Sequence, residues 1–111
     1  VNAFGYSKDG LAAAYRYESA FRQVLWLNLI LIVLTFILNF DSATKMLLII
    51  ASFVSLITEL FNTAVEAAVD HTSTEKHELA KRAKDAGSAA QLLALTMLGI
   101  VWAIALWRGY I

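Results

Sequence analysis

The run AGSAAQLLALTMLGIVWAIALW, residues 86–107, decides the architecture. It holds 22 residues with no charge and no proline, and as a helix rising about 1.5 Å per residue it crosses a hydrocarbon core of roughly 30 Å. A second run, QVLWLNLILIVLTFILNF at 23–40, is 18 residues long, also charge-free, and spans the same core with little to spare. Between them, residues 43–69 are apolar and long enough, but they are free of charge only over 46–58 because Glu59 and Glu66 interrupt them. The pattern predicts an all-α membrane protein of one domain, 1–111, with membrane helices at about 23–40, 43–69 and 78–108. Ahead of them, Leu11, Ala14, Tyr15, Glu18, Phe21 and Arg22 recur at helical spacing, which predicts an amphipathic surface helix within 1–22. Either Asp41 or Ser42 can cap the middle helix, and Thr72-Ser73-Thr74-Glu75 has capping-box spacing for the third.

Composition narrows the function. At 59% hydrophobic against 16% charged, the chain is too apolar for a water-soluble domain of 111 residues, so the excess faces lipid. With no cysteine there are no disulfides, thiolate metal sites or cysteine nucleophiles, and two histidines alone do not make a zinc site. Nine Lys and Arg balance nine Asp and Glu, so no overall charge draws the chain to nucleic acid. The charges are nevertheless lopsided. Lys8, Arg16 and Arg22 precede the first span and Lys76, Lys81, Arg82 and Lys84 separate the second from the third, leaving only Lys45 and Arg108 for the other side. The positive-inside rule then puts the N-terminus and the second loop in the cytoplasm, with Trp102, Trp107 and Tyr110 as an aromatic belt at the outer interface.

The chemistry concentrates in Glu59-Leu60-Phe61-Asn62-Thr63-Ala64-Val65-Glu66-Ala67-Ala68-Val69-Asp70. At about 100° per residue, Glu59, Asn62, Glu66 and Asp70 share an arc of roughly 80°, with Glu59 about 10 Å deeper than Glu66. An ionisable group inside a span costs about 2.5–3.5 kcal/mol and is normally paired, facing a cavity, or part of a site. A structural carboxylate bonded across helices explains one Glu; it explains a graded row poorly. Oxygen ligands of this kind suit Mg²⁺, which takes one or two carboxylates together with substrate phosphates. A carboxylate held deeper, away from water and near a like charge, has the surroundings of a general base. The row therefore divides by depth into a candidate metal ligand, Glu66, and a candidate base, Glu59.

Other polar groups lie nearby. Glu18 stands on the apolar side of the N-terminal helix, either as an i,i+4 partner of Arg22 or as a second metal ligand beside Glu66. Lys84 and Asp85 are the last charges before the 86–107 run, where a lysine can reach an anion at the interface. Lys81, Arg82 and Glu78 read as a solvated helix start, and His77 as a surface histidine. Gly5 and Gly10 have the glycine spacing of a phosphate loop, yet Leu11-Ala12 follows where Lys and Ser or Thr are required.

The segments Glu18-Ser19-Ala20-Phe21-Arg22-Gln23, Glu59 through Asp70, and Arg82-Ala83-Lys84-Asp85-Ala86-Gly87-Ser88-Ala89-Ala90 resemble the signature segments of the small bacterial integral-membrane diacylglycerol kinases. That resemblance implies a homotrimer in the inner membrane, each chain giving a surface helix and three membrane helices, with sites shared between subunits. It implies transfer of phosphate from ATP to diacylglycerol, giving phosphatidic acid, with Mg²⁺ as cofactor. Carried over residue by residue, it makes Glu59 the general base and Glu18 and Glu66 the metal ligands. Asn62 and Asp70 become further active-site positions. Tyr6, Glu75, His77, Lys84 and Asp85 join Glu18 and Glu66 around the nucleotide, and Phe21, Gln23, Ser88 and Trp102 join Glu59 along the lipid. Two alternatives stay open: an undecaprenol kinase of the same family, which Glu75-Lys76-His77-Glu78-Leu79 disfavours, and a small proton or cation pathway, which also uses aligned intramembrane carboxylates.

Overall fold

The computed structural model describes residues 2–72 and 78–111. Four helices follow one another: α1 (Ala3–Tyr17), α2 (Ser19–Ile37), α3 (Ser42–Thr72) and α4 (Glu78–Tyr110). As the charge-free runs predict, α2, α3 and α4 are long and apolar enough to cross a membrane. The 33 residues of α4, at about 1.5 Å each, match the 52 Å long axis of the molecule.

The first membrane helix begins at Ser19, ahead of the uncharged run at Gln23, because Arg22 is accommodated inside it. Its guanidinium folds back to donate to the carbonyls of Tyr15 (2.6 Å) and Arg16 (3.1 Å), which the end of α1 leaves without helical partners. Glu18 takes an extended conformation at the break, φ −116° and ψ 104°. The break between the two helices therefore falls at Glu18 rather than at the expected boundary of 22 and 23.

In the bundle α3 is central and packs against α2 and α4, while α1 lies chiefly against α2. Small side chains let the helices approach: Ala51 and Ala105 are buried among Leu48, Leu98, Phe40 and Trp102. The outward faces are apolar instead, with Ile30, Phe36, Ile50, Phe53, Leu93 and Ile104 exposed. In water this surface would be a liability; against lipid it is the expected one.

Two polar arrangements join the helices. At the α2–α3 turn, Asp41 Oδ1 accepts from the Thr44 N–H at 2.8 Å and so caps α3, and Arg108 Nη2 lies 3.8 Å from Asp41 Oδ2. The Tyr110 hydroxyl accepts from the Asn39 N–H at 2.7 Å, and Phe40 meets the Trp102 and Tyr110 rings edge-on. Midway along the bundle, Asn28 Nδ2 donates to Ser55 Oγ (2.8 Å) and to Val24 O (2.9 Å). From the other side Gln91 Nε2 donates to Ser55 O (3.1 Å). Ser55 is thus the point where α2, α3 and α4 are joined by hydrogen bonds in an apolar setting, where an unmade bond is expensive.

The bonds from Thr44, helped by the nearby Arg108 charge, hold the Asp41 carboxyl below the usual carboxylate range. Because the folded state favours the ionised form, this stabilisation is present above the unfolded-state value and disappears as pH falls through the folded-state value. Asp41→Ala should therefore lower unfolding stability in detergent near neutral pH, with the difference from the parent chain shrinking in acid; a gap that is constant with pH would contradict the capping role.

Candidate active site

The last third of α3 carries its polar side chains on one face, and their exposure rises along the helix. Glu59 is buried, with 5% of its surface exposed; Asn62 is half-buried, and Glu66 and Asp70 are open. The antiparallel α4 supplies a counterpart at each level. Gln91, also buried, faces α3 one turn from Glu59, where its Nε2 donates to Ser55 O at 3.1 Å. Gly87 faces Asn62: a Cβ built there would sit 3.3 Å from Asn62 Cγ and collide with Asn62 Oδ1. Lys84 Nζ pairs with Asp70 Oδ1 at 2.5 Å and also lies in the field of Glu66. Descending α4 from 91 through 87 to 84 therefore follows α3 from 59 through 62 to 66 and 70.

Glu18 joins this group from the break between α1 and α2. Its side chain is exposed and lies close enough to Glu59 for the two charges to interact, as does that of Glu66. Beside it a groove of about 600 Å³ opens between α1 and α3, lined by Ala14, Tyr17, Glu18, Leu60, Thr63 and Ala64 among others. Of the three carboxylates Glu18 lines this groove, while the exposed Glu66 and the buried Glu59 lie within electrostatic reach on α3. Among the described residues no cluster of three or more acidic or histidine side chains is tight enough to cage a metal. Glu18 and Glu66 are exposed carboxylates, the donor type of which a hard cation takes one or two while completing its shell with water and phosphate.

The remaining sequence-predicted positions scatter. Asp85 pairs with Lys81 at 2.7 Å, and Glu78 with Arg82 at 3.4 Å, both as exposed i,i+4 pairs. Ser88 and Gln23 are exposed, Phe21 is buried in α2, and Tyr6 stands exposed near the start of α1. Trp102 is buried against Phe40 at the far end of the bundle, away from the carboxylates. Glu75 and His77 lie outside the described residues. Gln91, Asn28 and Ser55 escaped the sequence reading, although each is a polar residue inside an uncharged run.

Chains of similar sequence are known. The family model for prokaryotic diacylglycerol kinase matches residues 5–106. The chain belongs to the prokaryotic diacylglycerol kinase family. It is 48% identical over 103 residues to the diacylglycerol kinase of Pseudomonas aeruginosa, covering 93% of this chain and 84% of that one. The diacylglycerol kinase of Helicobacter pylori strain 26695 is 50% identical over 100 residues (90% and 78% covered), and that of Escherichia coli K12 45% over 110 residues (99% and 90%). An integral membrane protein of a lipid-kinase family is what the three apolar helices and the acid row are built into.

The close approach at Gly87 gives a test that needs no assay of function. Gly87→Ala should destabilise the bundle by about 1–3 kcal/mol, as overpacking does. Gly99→Ala, where nothing lies within 4 Å of the new methyl, should be neutral or stabilise by up to about 1 kcal/mol. Reversible unfolding in mixed detergent micelles measures both, and equal effects would contradict the α3–α4 register.

Proposed function

We propose that this chain is an ATP-dependent lipid kinase that phosphorylates diacylglycerol to phosphatidic acid at the cytoplasmic face of the bacterial inner membrane, working as a homotrimer with sites shared between subunits. The observation that carries the reading is the single face of α3 on which a buried carboxylate, Glu59, is followed by the exposed Glu66, with Glu18 close by. Membership of the family, whose named relatives are diacylglycerol kinases, supports the choice of acceptor.

Phosphoryl transfer asks a protein mainly for positioning and electrostatics. Glu59 sits where an acceptor hydroxyl just under the headgroups can reach it, and it acts as the base. As the hydroxyl oxygen bonds to the γ-phosphorus, its proton passes to the Glu59 carboxylate, the bond from phosphorus to the β–γ bridging oxygen breaks, and ADP leaves. Glu18 and Glu66 would hold Mg²⁺, whose contribution when bound is to neutralise the phosphate oxygens. Lys84, already turned toward Asp70 and Glu66, offers its ammonium to the same anionic groups. Asn62 and Asp70 line the site between base and water. Tyr6, Asp85, Glu75 and His77 are assigned to the nucleotide, and Phe21, Gln23, Ser88 and Trp102 to the lipid. The N-terminal helix, lying at the membrane surface, carries Glu18 to the level of the phosphates. The groove between α1 and α3 gives an apolar path beside that carboxylate.

Radiolabel transfer from ATP in mixed micelles tests the reading. The purified chain should label diacylglycerol in preference to undecaprenol, and the reverse preference would move it to the sister branch. Glu59→Gln should lower turnover by about 10²–10⁴-fold, the usual contribution of a positioned base, while the protein stays folded. Near-normal turnover would remove Glu59 from this role. Glu66→Gln should raise the Mg²⁺ concentration needed for half-maximal rate, and an unchanged requirement would count against it as a ligand.

A further inference from the structure

We propose that Arg22 is a positioning residue: by closing the end of α1 onto α2 it sets the elbow at Glu18, and through that elbow it holds the Glu18 carboxylate beside the Glu66 turn of α3. The inference rests on the assignment of Glu18 as a Mg²⁺ ligand.

One extended residue separates the two helices. The Glu18 N–H donates to Ala14 O at 2.9 Å and makes the last bond of α1, while its carbonyl accepts from the Arg22 N–H at 3.2 Å and begins α2. With both backbone groups engaged, the direction of the Glu18 side chain follows the angle between the helices. Little else constrains that angle. α1 lies chiefly against α2 and faces α3 across the groove, which Glu18 lines together with Leu60, Thr63, Ala64 and Ala67. Thr63 and Ala67 flank Glu66 in sequence, so the groove brings Glu18 to that turn of α3.

Arg22 is what fixes the elbow. A helix ending at Tyr17 leaves carbonyls without helical donors and has the negative end of its dipole there. The Arg22 guanidinium answers both, donating from Nη1 to Tyr15 O at 2.6 Å and to Arg16 O at 3.1 Å, bonds that its charge strengthens. One turn further along α2, Trp26 Nε1 donates to the Tyr15 hydroxyl at 3.3 Å, so one face of α2 grips the same residue of α1 twice. The i,i+4 ion pair that the sequence allows between Glu18 and Arg22 is not made, and among the described residues no ion pair involves Glu18. Arg22 turns to the backbone instead, which leaves the carboxylate open to an external cation. Arg16, in the last turn of α1, lies over the Tyr17 ring at 5.5 Å, and its side chain takes no part in the cap.

Arg22→Met keeps the aliphatic stem and removes the donors; Arg22→Lys keeps the charge on a single donating end and serves if the first variant does not fold. Two quantities are read in mixed micelles. One is the Mg²⁺ concentration for half-maximal diacylglycerol phosphorylation. The other is binding of Mn²⁺ alone, followed by loss of the free-ion EPR signal, the site being the binding that Glu18→Gln removes. Arg22→Met should weaken both by about 10- to 100-fold, as loss of a group that orients a ligand does. Arg22→Lys should act in the same direction by less, and Arg16→Met should match the parent. In a Glu18→Gln background Arg22→Met should add no further rise in the Mg²⁺ requirement of the residual activity. Parent-like values in the folded Arg22 variants, an equal effect of Arg16→Met, or a full further rise in the Glu18→Gln background would each overturn the proposal. So would a fall in kcat with metal binding unchanged, the mark of a purely structural cap, or a change confined to KM for diacylglycerol, the mark of a lipid contact. If Glu18→Gln left Mn²⁺ binding unchanged, the ligand assignment would be what failed; weakened binding in Glu18→Gln beside parent-like Arg22 variants would fault the role of Arg22 alone.

Discussion

A carboxylate on a membrane-crossing helix is tolerated only when its surroundings replace the water it has lost, and Glu59 imposes that condition on the bundle. It sits where α3 passes from its apolar run into its polar end. The helices beside it supply buried polar groups at this level: one turn from Glu59, α4 sets the Gln91 amide on the Ser55 carbonyl, and α2 holds the Ser55 hydroxyl through Asn28. Gly87 lets α4 come close enough to α3 for this register to hold. The purely apolar cluster of Phe40, Leu48, Leu98 and Trp102 lies toward the opposite end, so packing and polar chemistry are separated along the bundle rather than mixed.

The same register orders the charges by depth. Along α3 the exposure rises from the buried Glu59 through the half-buried Asn62 to the open Glu66 and Asp70, and the facing residue on α4 changes from an uncharged amide to a glycine to a lysine. Charge is matched by charge only where water can share the work, which follows from the large desolvation penalty of a buried ion pair. The break at Glu18 completes the site from the other side. Arg22 satisfies the end of α1, and the extended residue between the helices is left as a carboxylate in the field of Glu59.

Much of this was legible in the sequence because hydrophobic length and helical periodicity are local properties. The uncharged runs at 23–40 and 86–107 announced membrane helices, and the spacing of Glu59, Asn62, Glu66 and Asp70 placed them on one face. The break at Glu18 was not legible, because the side chain that stabilises it, Arg22, acts by reaching backward across the turn, a contact periodicity does not encode. Gln91 and Asn28 were missed for a related reason: a polar residue in an apolar run has no assigned partner until the helices are brought together. Trp102 shows how much a turn can add to what a span suggests. Its place near the end of a span suggests an interfacial ring, whereas Phe40, delivered by the α2–α3 turn, buries it.

The graded exposure of the acid row is the central claim, and the absence of cysteine makes it directly measurable. Single variants Glu59→Cys, Asn62→Cys, Glu66→Cys and Asp70→Cys, reconstituted in lipid vesicles, can be reacted with a membrane-impermeant maleimide and their labelling rates compared. Burial along α3 predicts rapid labelling at position 70, slower reaction through 66 and 62, and near-inertness at 59. Labelling at 59 as fast as at 66, or no trend along the four positions, would contradict it.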